Sequence, residues 1–192
     1  MTTILYLHGF LSSPDSAKVN LIRRQAAGIV KVVAPDLNLP PWEAEARILD
    51  AAANCGPASL TVIGASLGGF YAARLAAKLR LKAVLLNPCL RPWDYVPGWT
   101  GVQPIYGTDR TMTVLPEFAD DFRQMAQMQP PESADGSRTL VVLSTKDEVI
   151  PWRQAAAAYA HSRTLIIPGG DHRISNFESV LPRVLDFVKT SV

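Results

Sequence analysis

The sequence predicts an α/β fold: a doubly wound, mostly parallel sheet with helices on both faces. Apolar, strand-sized runs alternate with helical segments along the chain. The runs are nearly continuous in Val, Ile and Leu, as strands covered on both faces require. The third observation is Leu60–Gly64 leading into Gly64-Ala65-Ser66-Leu67-Gly68-Gly69 and then a stretch of small residues. That is the strand–turn–helix order of a nucleophile elbow.

Taken in order, strands are expected over Ile4–His8, Val30–Pro35, Leu60–Gly64, Ala83–Asn87, Leu140–Ser144 and Thr164–Pro168. After the first, Ser13-Pro14-Asp15 offers an N-cap, a proline at the first helical position and a carboxylate near the positive helix end. Pro41 and Pro151 are expected to start later helices in the same way. Behind the elbow, Gly68, Gly69, Ala72, Ala73, Ala76 and Ala77 suit a helix packed closely on the sheet. In the last helix Phe177, Val180, Leu181, Val184, Leu185 and Val188 fall on one face. Pro182 interrupts it and is expected to kink or split it. The β-α-β rhythm breaks between Asn87 and Leu140, a connection with Arg91-Pro92-Trp93, Pro97-Gly98-Trp99 and one helix near Pro116–Met128. A connection this long is usually functional or mobile. The expectation is one domain over residues 1–192, with an excursion at about 88–139 walling the cleft and no full lid domain; a surface loop without a role is the alternative for that segment.

With 192 residues, 48% of them hydrophobic, the chain can bury one real core. A net charge of +2, with its 19 Lys and Arg dispersed, argues against a nucleic-acid or anionic-membrane partner. The longest apolar runs are strand-sized, and the amino terminus enters a strand at once, so no transmembrane or leader segment is expected and the reading is cytoplasmic. Cys55 and Cys89 form no disulfide framework and have no metal-ligand spacing; each is expected to be a buried or half-buried thiol.

Gly-x-Ser-x-Gly alone matches many surface turns, but the preceding strand and the small residues behind it make Ser66 the candidate nucleophile. In this arrangement the nucleophile comes first, then the acid, then the histidine. Of His8, His161 and His172, only His172 leaves the carboxyl end of the last strand, in Pro168-Gly169-Gly170-Asp171-His172. It is the candidate general base; His161 reads as a solvated surface residue. Asp147 follows the preceding strand and is the candidate acid, with Glu148 its nearest competitor and a turn or helix cap the plain alternative. Asp171 adjoins His172 and suits a supporting role in the turn. The backbone N–H of Leu67 and that of Phe10, in His8-Gly9-Phe10-Leu11, are the candidate oxyanion donors, with His8 bracing that loop. Leu11, Trp93, Val149 and Ile150, with Phe10 and Leu67, are candidate walls of an apolar substrate pocket, or core residues, Ile150 above all.

These blocks carry a resemblance. Leu7-His8-Gly9-Phe10 with Ser12-Ser13-Pro14, Gly64 through Ala72, Asn87-Pro88 with Arg91-Pro92, Thr145 through Val149, and Gly169-Gly170-Asp171-His172 resemble the YqiA/YcfP-like family of small bacterial α/β-hydrolases, regarded as esterases. The match spans nearly the whole chain, and the family's serine, aspartate and histidine fall on Ser66, Asp147 and His172. The chain departs from the pattern at Asp171, where a polar amide is expected, and in its tryptophan-rich middle, which bears on substrate preference. The resemblance implies a compact, largely lidless esterase.

The expected function is therefore that of a serine esterase acting on carboxylic or thioesters through an acyl-enzyme, with a small-molecule ester as substrate and no metal or cofactor. Short or medium acyl esters in a fairly open cleft are expected. An acyltransferase or thioesterase would use the same residues, and a noncatalytic ligand-binding protein is the rival from another class.

Overall fold

The structure, a computed structural model, describes residues 2–56 and 59–190. In chain order it contains β1 (Thr2–Leu7), α1 (Ala17–Gln25), β2 (Val30–Val33), α2 (Pro41–Cys55), β3 (Leu60–Ala65), α3 (Leu67–Leu79), β4 (Lys82–Leu86) and α4 (Val96–Trp99). There follow β5 (Gly101–Pro104), β6 (Thr111–Val114), α5 (Phe118–Met128), β7 (Thr139–Ser144), α6 (Trp152–Ala158), β8 (Arg163–Ile167) and α7 (Phe177–Lys189). The main sheet has six strands in the order β2-β1-β3-β4-β7-β8, every pair parallel.

The apolar runs are continuous because each strand feeds two cores. Along β1, Leu5 and Leu7 enter one core while Ile4 and Tyr6 enter the other. Along β7, Val141 and Leu143 alternate in the same way with Leu140 and Val142. The first core is closed by α2, α3, α5 and α6, the second by α1 and α7. The chain runs outward from β1 to β2 and then returns to β3, so the winding direction reverses between β1 and β3. Open α/β sheets form their ligand crevice at the carboxyl ends of the strands flanking such a switch.

Three local expectations are corrected. Ser13-Pro14-Asp15 precedes α1 as a turn closed by Ser16 N–H to Ser13 O (3.1 Å), and the helix starts at Ala17 with Ser16 at its N-cap. Pro151 occupies the N-cap of α6, one position outside the helix. Pro182 does not split α7. It faces solvent, and the acceptor it orphans, the Glu178 carbonyl, lies in the exposed part of the first turn. The excursion also holds structure beyond its helix: β5 and β6 form a two-stranded antiparallel hairpin.

Candidate active site

At the end of β3 the chain turns sharply into α3. Ser66 sits at φ +54°, ψ −119°, a strained conformation for a residue with a Cβ. Neighbouring hydrogen bonds over-determine it. Its N–H donates to Leu86 O (3.0 Å), extending the ladder to β4, while its carbonyl accepts from Gly69 N–H (2.8 Å) and Cys89 N–H (3.0 Å). The turn is this tight only because two positions lack side chains. A Cβ on Gly64 would stand 2.6 Å from that of Ala72, and one on Gly68 would stand 2.6 Å from the His8 carbonyl oxygen. The hydroxyl does not cap α3. It points to His172, with Oγ 3.0 Å from Nε2.

His172 arrives from the loop after β8 and Asp147 from the loop after β7. The two loops are laced together by Thr145 N–H to Ile167 O (3.1 Å), Lys146 N–H to Gly170 O (3.0 Å) and Gly169 N–H to Thr145 Oγ1 (2.8 Å). His172 Nδ1 lies 2.9 Å from Asp147 Oδ2 and 3.0 Å from Oδ1. The carboxylate only accepts, so Nδ1 carries the proton and Nε2 is left to accept from Ser66. The Asp147 side chain is 1% exposed, and its Oδ1 also accepts the N–H groups of Val149 (2.9 Å) and Ile150 (2.7 Å). Ser66, His172 and Asp147 thus form one continuous hydrogen-bonded chain.

Glu148 and Asp171 sit elsewhere. Glu148 Oε2 accepts the backbone N–H of His172 (2.9 Å). The Asp171 carboxylate accepts the N–H (2.8 Å) and hydroxyl (2.6 Å) of Ser175, closing its own turn, and these bonds hold its pKa below the usual value. His161 is exposed, in the turn before β8.

Sequence reasoning assigned no task to Asn87, and the structure gives it a central one. It is 2% exposed, at the end of β4, with φ +42°, a region asparagine tolerates better than most residues. Its Oδ1 accepts Ser144 N–H (2.8 Å); its Nδ2 lies 3.1 Å from Ser144 Oγ, 3.2 Å from Asp171 O and 3.0 Å from His172 O. The peptide around His172 is therefore gripped at its N–H by Glu148 and at its C=O by Asn87. An asparagine ending the strand next to the serine strand was the available signal. Asn87→Ala is expected to cost about 3 kcal/mol, because it orphans the buried Ser144 N–H and places a less tolerant residue at positive φ. A lowered urea midpoint at constant slope measures this, and an unshifted midpoint contradicts it.

On the other side of Ser66 lies the loop after β1. His8, 2% exposed, accepts Leu37 N–H at Nε2 (2.9 Å) and so donates from Nδ1 to Gly9 O (2.8 Å). Burial lowers its pKa, keeping it neutral in that role. Asn38 Nδ2 donates to Ser12 O (2.8 Å) and Tyr106 N–H to Leu11 O (2.8 Å), pinning the loop from two further segments. Gly9 stands against Ser66: a Cβ there would lie 3.3 Å from that of Ser66. Among the described residues, no protein acceptor takes the N–H of Phe10 or of Leu67. Leu67, as the first residue of α3, has no acceptor within its helix.

An apolar cleft opens beside this loop. Phe10, Leu11 and Leu67 line it, together with Tyr71 from α3. Trp93, Val149 and Ile150 lie outside it. Trp93 packs on the first core beneath the Arg91 guanidinium, Val149 is 43% exposed, and Ile150 is buried, its N–H bound to Asp147. The tryptophan that does line the cleft is Trp99, stacked on Phe10 with ring centroids 4.0 Å apart. Cys89 is buried, which pushes its thiol up to about 12, and Cys55 is half-buried. Among the described residues no group of three or more His, Cys, Asp or Glu is placed to hold a metal, and no helix is long and apolar enough to cross a membrane.

Residues 3–189 match the model of a family described as "Uncharacterised protein family (UPF0227)". A UPF0227 protein of Serratia proteamaculans (strain 568) is 26% identical over 196 aligned residues, spanning 96% of this chain and 97% of that protein. Among solved structures, Est1E from Butyrivibrio proteoclasticus superposes with a TM-score of 0.73 at 15% identity, covering 98% of this chain and 89% of that one. A structure from work on LipS and LipT, two metagenome-derived lipolytic enzymes, gives 0.73 at 19% identity, with 98% and 93% covered. Mouse alpha/beta hydrolase domain-containing protein 10 gives 0.66 at 13% identity, with 96% and 89% covered. At these identities the likeness is one of fold, and the fold is that of the α/β-hydrolases.

Proposed function

We propose, for a chain that belongs to the UPF0227 family, the activity of a serine esterase that hydrolyses carboxylic or thioesters through an acyl-enzyme. The observation that carries this reading is the 3.0 Å contact between Ser66 Oγ and His172 Nε2, with Nδ1 of the same ring on the buried Asp147. A hydroxyl at the tip of an elbow, an imidazole nitrogen within reach of its proton, and a carboxylate fixing the tautomer are the parts of an activated nucleophile.

His172 Nε2 takes the Ser66 proton as Oγ attacks the ester carbonyl. The N–H groups of Phe10 and Leu67, free of protein acceptors, hold the developing oxyanion. The imidazolium, stabilised by Asp147, then gives its proton to the departing alcohol or thiol. Water repeats the sequence, activated by the same imidazole, and releases the acid and Ser66. Every step uses side chains and amides of this chain.

Treatment with a fluorophosphonate tests the reading, since the reagent phosphylates only an activated serine. Peptide mapping is expected to find the label on Ser66, with short-chain p-nitrophenyl ester turnover lost in proportion. Labelling of a different serine, or none alongside no ester turnover, overturns the assignment.

A further inference from the structure

We propose that a recess between α2, α3 and α5, separate from the catalytic crevice, binds a small apolar monocarboxylate of about the size of benzoate. The proposal does not depend on the esterase reading. One face of α3 supplies Tyr71, Arg74, Leu75 and Lys78, which fall together because residues three and four apart are neighbours on a helix. Glu45, Ile48 and Leu49 come in the same way from α2, and Met128 and Gln129 from the end of α5. Of these lining residues only Tyr71 also borders the cleft beside Ser66.

A buried cation braces the recess. Arg74, 5% exposed, donates from Nε and Nη2 to Glu45 Oε1 of α2 (3.1 and 2.7 Å). Its Nη1 donates to Gln129 O (2.6 Å) and to Met125 O at the end of α5. The guanidinium thereby ties α3 to both neighbouring helices, and the space between them is formed before any ligand arrives, as in most small-molecule sites. Its volume is about 210 Å³. An apolar cavity of about 150 Å³ takes up benzene, so one ring with a small substituent fits here.

The lining selects the chemistry. Ile48 and Leu75 are buried, Leu49 is half-buried, and Met128 is 69% exposed. An apolar body seated among them covers methionine surface that the described residues leave in water, and the flexible thioether adapts to its shape. Three charges border the recess. Glu45 and Arg74 are paired with each other, while Lys78 is exposed and has no ion-pair partner among the described residues. A single negative charge therefore complements the site. A cationic ligand meets Lys78, and a second carboxylate on the ligand meets Glu45.

Isothermal titration calorimetry with benzoate and its neutral analogue benzamide tests the proposal. Benzoate is expected to bind saturably in the millimolar range or tighter, and better than benzamide. Lys78→Gln, at an exposed position, is expected to weaken benzoate about threefold, the scale of one exposed ion pair, and to leave benzamide unchanged. Leu49→Trp, which fills the recess from its half-buried wall, is expected to weaken both ligands at least about tenfold, the scale on which overpacking acts. Met112→Trp, which reaches only the cleft beside Ser66, is expected to change neither. Absence of saturable benzoate binding, or equal affinity for benzamide, overturns the proposal. So does a benzoate affinity unmoved by Lys78→Gln, which decides the matter even if Leu49→Trp does not fold. Binding lost in Met112→Trp but kept in a folded Leu49→Trp puts the acid in the catalytic cleft and overturns it as well.

Discussion

Ser66→Ala is expected to lower ester turnover on the order of 10⁶-fold in kcat, the scale seen when a triad nucleophile is removed from a serine protease. The fold should survive. The backbone contacts that impose φ +54° on this residue come from Leu86, Gly69 and Cys89 and involve no side-chain atom of Ser66. The hydroxyl's partner, His172 Nε2, remains within reach of water, since that side chain is 16% exposed. A thermal midpoint close to wild type, together with loss of both turnover and fluorophosphonate labelling, is the expected pair of results. A folded Ser66→Ala protein with undiminished turnover would falsify the mechanism, because no other serine of the described residues meets His172.

Asp147→Asn is expected to lose about 10⁴-fold in kcat, as in the protease template. An amide in this place presents a donor as well as an acceptor. Because Oδ1 is already engaged by the Val149 and Ile150 N–H groups, the amide nitrogen falls on the Oδ2 side, 2.9 Å from His172 Nδ1. It donates there, pushing the ring proton to Nε2, where it opposes the Ser66 hydroxyl. The charge that stabilises the imidazolium disappears as well. Asp171→Asn is expected to be far milder, since that carboxylate serves Ser175 and the corresponding amide oxygen keeps one of the two bonds. Turnover of both variants, with circular dichroism as the folding control, decides between the two acids. A severe loss in Asp171→Asn beside a nearly active Asp147→Asn moves the acid away from Asp147.

The strands were legible because burial on both faces leaves little choice of residue. Ile4-Leu5-Tyr6-Leu7 and Leu140-Val141-Val142-Leu143 read as strands without any knowledge of their neighbours, and each is found as one. The hairpin Gly101–Pro104 with Thr111–Val114 escaped notice for the opposite reason. Its strands are only four residues long and half of their residues are exposed, so no long apolar run marks them. Pro41 starts its helix, but Pro14 and Pro151 stand before theirs, which begin at Ala17 and Trp152, since a proline's fixed φ suits the turn before a helix as well as its first residue.

By itself the sequence determined the layered α/β architecture, the elbow around Ser66, and the chain order that singles out Asp147 and His172. Each of these follows from local rules: two-sided burial, the steric need for glycine at Gly64 and Gly68, and the strand ends from which loops can reach one crevice. Only the tertiary structure decided that Asn87 and Glu148 grip the peptide of His172, and that Trp99 stacks on Phe10 at the apolar cleft. Those contacts join segments far apart in the chain, and the grip on His172 uses a backbone amide and carbonyl, which every residue carries alike. A hydrogen bond to a carbonyl leaves no trace in the identity of the residue that owns it, so it becomes visible only when the loops are brought together in space.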